Sequence, residues 1–262
     1  MNLFKRFYNS IKAFGIEPKI IINSLRGIPS FVRDYLVFKR RKNELPPEFN
    51  YTSIYPCLAD RYSESGSAKG HYFHQDLLVA QKIFKNNPRK HVDIGSRIDG
   101  FVAHVASFRE IEIFDVRELT SQIKNVIFHK ADLMNDDFKF IDYCDSVSSL
   151  HAVEHFGLGR YGDPIEVNGH IKAVQNITKM LTRGGKFYFS VPMGPQRIEF
   201  NAQRVFSLEY LLELLSKDFE VVSFSFVDDE GLLHRDSKLE DDFIKTNFGC
   251  LYGCAIFELI KK

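Results

Sequence analysis

Residues 91–102 read His91-Val92-Asp93-Ile94-Gly95-Ser96-Arg97-Ile98-Asp99-Gly100-Phe101-Val102. A short apolar run, 91–94, breaks at a glycine, and a helical pattern follows over 101–108. Strand, glycine turn and helix in that order open a βαβ unit, whose ligand crevice lies beyond the C-terminal end of the strand. Gly95 permits the tight turn, and the helix N-terminus that follows Ser96 offers free N–H groups to an anion. A dinucleotide needs a second and a third glycine for its pyrophosphate to come close. Here Arg97 fills the second position and Gly100 comes one residue late. The loop therefore suits a ligand carrying a carboxylate, which Arg97 could meet with a charge-assisted hydrogen bond.

The alternation continues toward the C-terminus. Residues 111–114, 126–128, 145–150 and 186–191 read as strands, with a helical stretch around 166–181 and a turn at Arg183-Gly184-Gly185. Residues 207–216 read as a helix with Ser207 as N-cap. Two last strands, 219–227 and 252–260, follow without a clear helix between them. The expected fold is α/β: a doubly wound, Rossmann-like, seven-stranded and mostly parallel sheet with an antiparallel hairpin at one edge. Asp115 ends the second strand, 20 residues past Gly95, where a carboxylate can accept bonds from both hydroxyls of a ribose. Asp132 follows the third strand, placed to take the exocyclic amine of an adenine, with Leu133 against the ring. A lone aspartate at a strand end is usually a helix cap. Three at successive strand ends (Asp93, Asp115, Asp132) favour a ribose-plus-adenine pocket.

Composition agrees with a globular domain. The chain has 262 residues, 44% hydrophobic and with 25 Phe, enough for a sizeable core. Four scattered cysteines do not make a disulfide framework, and Cys250 with Cys254 has no second ligand pair nearby for zinc. The net charge of +1 hides an asymmetry: residues 1–42 hold ten basic and two acidic residues, so they carry +8 and the remainder −7. That balance argues against nucleic acid as a partner and for a localised anionic one. Residues 3–14 and 31–38 read as amphipathic helices with aromatic faces beside Lys39-Arg40-Arg41-Lys42, so peripheral contact with a membrane is one expectation and packing on protein, including a second protomer, the other. Pro18, Gly27 and Pro29 punctuate this region, and Pro46-Pro47 suggests a boundary. The expected organisation is a basic helical extension, 1–48, and a Rossmann domain, 49–262, in which 49–89 forms a cap. No secretory signal or membrane-length apolar run is present, which leads one to expect a cytoplasmic, soluble or peripheral protein.

After the fourth strand comes Ser148-Ser149-Leu150-His151-Ala152-Val153-Glu154-His155. This octet resembles the post-strand motif of class I S-adenosylmethionine (SAM) methyltransferases, and with Asp93, Gly95, Asp115 and Asp132 in order the resemblance spans roughly residues 90–260. It implies SAM as cofactor, held by Asp93, Gly95, Ser96, Arg97, Asp115, Asp132, Leu133 and His151. A narrower likeness rests on Gly70-His71-Tyr72-Phe73-His74-Gln75-Asp76, on Glu154-His155-Phe156-Gly157-Leu158-Gly159-Arg160-Tyr161-Gly162-Asp163-Pro164, on Val191-Pro192-Met193-Gly194 and on Phe200-Asn201-Ala202-Gln203-Arg204-Val205-Phe206. These segments are similar to an uncharacterised, SAM-methyltransferase-like bacterial family encoded among genes for surface-polysaccharide synthesis. That likeness implies O-methylation of a sugar in a surface glycan or in its nucleotide- or lipid-linked precursor. A non-catalytic SAM-binding or scaffold protein of a glycan-assembly complex is the rival.

Methyl transfer to a hydroxyl needs an aligned acceptor and a base within hydrogen-bond reach. His155 is the first candidate and His151 the second, with Glu154 as the partner that fixes a tautomer. Arg160, Tyr161 and Asp163 lie in a glycine-rich loop suited to a sugar cradle. Asn201 and Arg204 are expected to overhang the crevice, Arg204 reaching a phosphate or uronate. His71 and Tyr72 are expected to close over the site from the cap. Glu154, His155, Asp163 and His170 match no compact ligand spacing, so no metal is expected.

Overall fold

The computed structural model describes residues 15–49 and 53–262; the amphipathic stretch expected over 3–14 lies outside them. The described chain forms two compact units that divide between Ser67 and Ala68.

The first unit is built on helix α1, Pro18–Arg40. Pro18 opens it at a position that needs no N–H donor. The sequence punctuation misleads beyond that point, because α1 runs unbroken through Gly27 and Pro29. Gly27 is the buried residue of the helix, and a Cβ there would stand 2.0 Å from the Leu58 carbonyl oxygen. Its missing side chain is what lets 53–62 cross the helix. Tyr62 secures the crossing by donating its hydroxyl hydrogen to the Arg26 carbonyl at 3.0 Å, with Arg26 over its ring. Along α1, Ile20, Ile21, Leu25, Ile28, Val32 and Leu36 stay about half exposed, and Lys39 and Arg40 occupy the last turn. Among the described residues no helix is long and apolar enough to cross a membrane.

In the second unit, helix α2 (His71–Asn86) precedes strand β1 (His91–Ile94). A π-type turn, Ile98–Val102, and a single helical turn α3, Ala103–Ala106, lead to β2 (Ile111–Asp115), β3 (Val126–Lys130) and β4 (Cys144–Leu150). Helix α4 (Gly169–Met180) and β5 (Leu181–Met193) come next, then a small hairpin of β6 (Arg197–Glu199) and β7 (Gln203–Val205). The chain continues with α5 (Leu208–Ser216), β8 (Phe219–Val227), β9 (Leu233–His234), α6 (Asp241–Thr246) and β10 (Gly253–Lys261). Ser207 caps α5, accepting from Tyr210 N.

The main sheet has eight strands in the order β3-β2-β1-β4-β5-β10-β8-β9, the eighth being the two-residue β9. The first five strands pair in parallel. β10 and β8 pair antiparallel at one end of the sheet, as the sequence suggests, with β10 on the inner side. It inserts antiparallel between β5 and β8, and its residues are buried from Gly253 through Leu259. One face is covered by α4 and α5, whose Ala173, Val174, Ile177 and Leu208, Leu211, Leu215 recur at helical spacing against Phe189, Phe224 and Phe257. The other face carries α2, through Leu78, Val79 and Ile83, against Ile111, Ile113, Tyr188 and Ile256. The helix of the expected cap segment is thus a layer of the domain. Strand order reverses between β1 and β4, which opens a crevice at their C-terminal ends.

Candidate active site

Asp93 is fully buried at the end of β1. It accepts hydrogen bonds from Ser96 N at 3.0 Å, Ser96 Oγ at 2.8 Å and Ser148 Oγ at 2.5 Å. The parallel register sets Asp93 beside Ser148 and His91 beside Ser146. His91 completes the chain, its Nε2 3.1 Å from Ser148 Oγ and its Nδ1 2.8 Å from Ser146 Oγ. Burial keeps His91 neutral, with its pKa lowered to about 3, and pushes the Asp93 carboxyl up to about 7. Gly95 then turns the backbone at φ 71°, where an L side chain is strained and a Cβ would meet Ala152 Cβ at 3.0 Å.

A pH signature follows. With its folded pKa raised, Asp93 favours the folded state fully below about pH 4, its unfolded pKa, and that contribution is lost as pH rises through about 7. The neutral isostere in Asp93→Asn has no such titration. The stability of the wild type relative to this variant should therefore fall between pH 4 and pH 7, by about 4 kcal/mol at most. Urea unfolding at several pH values reads the difference; a constant difference overturns the assignment.

The crevice holds a pocket. Gly95, Asp115, Asp132, Leu133 and His151 line it, as do His155, Tyr161 and Asp163. Asp132 accepts from Met134 N at 2.8 Å through Oδ1. Asp115 is gripped by Arg117, which reaches its two oxygens through Nε at 3.0 Å and Nη2 at 2.6 Å. Arg117 also lies over the Tyr161 ring, 4.4 Å from its centroid. The sequence reading missed this residue, whose signal is its place two positions beyond Asp115.

Glu154 and His155 lie in a single 3₁₀ turn, Val153–His155. His151, just before it, adopts φ 51°, a left-handed conformation unusual for a non-glycine residue. Its N–H donates to the Ser190 carbonyl at 2.9 Å and its Nδ1–H to Glu154 Oε1 at 2.7 Å. Glu154 is wholly buried and so orients His151; its Oε1 is 3.6 Å from His155 Nε2. The tautomer of His155 is instead fixed by the Ala202 carbonyl, which accepts from Nδ1 at 2.7 Å. That leaves Nε2 as the basic nitrogen, and burial holds the ring's pKa below the usual histidine value. His71 Nδ1 lies 3.1 Å from His151 Nε2, and Tyr72 and Tyr252 pack on the same pair of rings.

Other expected contacts are engaged elsewhere. Arg97 pairs with Asp99 at 2.8 Å and is largely exposed outside the pocket. Arg204 does not face an acceptor: it is buried and donates to the carbonyls of Glu154, Phe156 and Val167. It holds the loop after β4 in place, a role invisible without knowing which carbonyls the fold leaves unpaired. Asp163 also shapes that loop, accepting from the N–H groups of Gly157, Gly159 and Tyr161. Arg160 donates to Ala202 O at 3.0 Å, and Asn201 is exposed in the turn between β6 and β7.

Sheet order, the inserted antiparallel strand and the pocket at the switch point together define the class I methyltransferase fold. Solved structures agree. The chain is similar to a Burkholderia thailandensis 1,6-didemethyltoxoflavin-N1-methyltransferase, crystallised with 1,6-didemethyltoxoflavin and S-adenosylhomocysteine (TM-score 0.52, 16% identity, 72% of this chain and 78% of that one). It is also similar to the O-methyltransferase of a trans-AT PKS multienzyme from Brevibacillus brevis, in complex with S-adenosylhomocysteine (TM-score 0.51, 15% identity, 72% and 71%). The sequence profile described as "Caenorhabditis protein of unknown function, DUF268" matches residues 102–245, more than half of the chain, and the chain belongs to that family. No curated protein matches the sequence.

Proposed function

We propose that the protein is a SAM-dependent O-methyltransferase whose acceptor is a sugar hydroxyl of a bacterial surface glycan, or of its nucleotide- or lipid-linked precursor. The observation that carries this reading is the order of groups around one pocket: the Gly95 turn, Asp115, Asp132 with Leu133, then His155. They match in sequence the needs of a sulfonium substituent, a ribose and an adenine. When bound, the cofactor supplies an electrophilic methyl on a sulfonium. With that group bound, His155 Nε2 would take the proton of the acceptor hydroxyl as the methyl is transferred to its oxygen. Tyr161, edge-on to His155 with ring centroids 5.7 Å apart, gives a sugar an apolar wall beside the base. The glycan itself is supported by the sequence likeness rather than by a dedicated side chain.

Titration of the full chain with SAM and S-adenosylhomocysteine tests the reading; micromolar binding supports it, and no binding by folded, cofactor-free protein sinks it. Arg117 on Asp115 favours the rival, a scaffold protein of a glycan-assembly complex, because that aspartate is already satisfied.

The half-exposed apolar residues of α1 beside Lys39 and Arg40 support peripheral contact of residues 1–42 with an anionic inner membrane face, in the cytoplasm, with homo-oligomer formation as the competing use of that surface. Cosedimentation with anionic but not zwitterionic vesicles, reduced in a variant with residues 39–42 changed to Glu, is the expected result. Equal partition to both vesicle types, with an oligomer in solution, overturns it.

A further inference from the structure

We propose that His71, His151 and Cys254 form a binding site for a single transition-metal ion of the zinc type, next to the methyl-transfer pocket. The three residues come from separate segments: the first turn of α2, the end of β4 and the second residue of β10. One ligand atom from each lies within 4.8 Å of the others. His71 Nδ1 and His151 Nε2 are 3.1 Å apart. Two nitrogens and a sulfur on a tetrahedral ion, at about 2.0–2.3 Å each, need separations of this order, reached by small side-chain rotations. Imidazole and thiolate together select zinc-like ions over magnesium or calcium.

The surroundings point the same way. His151 Nδ1–H donates to Glu154, so Nε2 is the nitrogen turned toward His71 and the sulfur. A carboxylate behind a ligating histidine is the usual support that fixes the metal-binding tautomer. Glu154 is wholly buried, and its Oε2 has no hydrogen-bond partner. A buried carboxylate demands a compensating charge. A divalent ion supplies it: its two positive charges match Glu154 and the Cys254 thiolate. A proton between the two imidazoles is the competing bridge; beside it the Cys254 sulfur pairs with His151 and reaches Gln75 Oε1 at 3.6 Å and Ala255 O at 3.7 Å. Three protein donors leave one coordination position open, as in sites that bind water or substrate. In methyl transfer that position takes water or an acceptor oxygen, a consequence that rests on the proposed function; the metal site does not.

The test uses the full chain, purified without chelator for metal analysis and then stripped and titrated with cobalt(II). About one zinc per chain, and a sulfur-to-cobalt charge-transfer band in the near ultraviolet, are expected. Cys254→Ser should lose that band while keeping the far-ultraviolet circular dichroism of the parent, and Glu154→Gln should weaken cobalt binding about 10- to 100-fold. Because Cys254 is buried, His71→Gln serves as a second variant, expected to lower cobalt affinity without entering the core. No zinc in the isolated protein and no charge-transfer band in folded, stripped protein overturn the site and leave the proton bridge. S-adenosylhomocysteine titration of the same samples reports separately on the cofactor pocket.

Discussion

Asp115→Ala is expected to weaken S-adenosylhomocysteine binding by about 100-fold or more, the largest effect of any single substitution in the cofactor pocket. A carboxylate accepting both ribose hydroxyls makes two charge-assisted bonds, each worth about 1.5–3 kcal/mol, and every 1.4 kcal/mol is tenfold in affinity. In the structure those oxygens face Arg117 instead. The nucleoside must displace that arginine, which is only half-buried and held by an exposed-side ion pair of modest strength. Arg117→Ala removes the competitor, so its binding should equal or exceed that of the wild type. Calorimetric titration of the three proteins decides the matter. A Kd for Asp115→Ala within about threefold of the wild type means that no ribose sits there.

The second large effect falls on turnover. His155→Gln should lower kcat by about 10²–10⁴-fold, the usual contribution of a positioned base, while S-adenosylhomocysteine affinity stays close to that of the wild type. The ring's geometry gives this prediction its sign in pH. Ala202 holds the proton on Nδ1, and burial places the pKa below the ordinary histidine value of 6.5. Nε2 is therefore a free base at neutral pH, and the acidic limb of kcat/KM should lie below pH 6.5 in the wild type and vanish in the variant. Methyl transfer to nucleotide-linked sugars, followed across pH, provides the measurement. An unchanged rate in His155→Gln removes this residue from the chemistry and turns attention to His151 as the base.

Much of the pocket was legible in the sequence because its groups sit at strand ends, and strand ends follow from local pattern. Gly95, Asp115 and Asp132 each close an apolar run, so their convergence needs only the parallel order of β1, β2 and β3. Position within a sheet is not local. Nothing in residues 253–261 says that they pair with β5 as well as β8, and the convergence of Cys254 with His71 and His151 was hidden with it. Arg204 failed for a related reason: an arginine after a strand looks available until the carbonyls of the neighbouring loop are known. On α1, Gly27 and Pro29 look like punctuation because local propensity disfavours both inside a helix. The close approach of Leu58 to Gly27 is a tertiary reason for the glycine that no window of sequence contains.

The place of β10 also sets an order of events in folding. β1 to β5 can pair with one another as soon as they are made, since each neighbour precedes or closely follows the other in the chain. β8 and β9 cannot join them, because the strand that must lie between is made last of the ten. Until then β5 and β8 each present an unpaired, apolar edge, the condition that invites association with other chains. Long-range pairing of this kind is slow. The half of the sheet that carries Asp93 and Asp115 can thus be in place while the half that brings Tyr252 and Cys254 to the crevice is still waiting for its central strand.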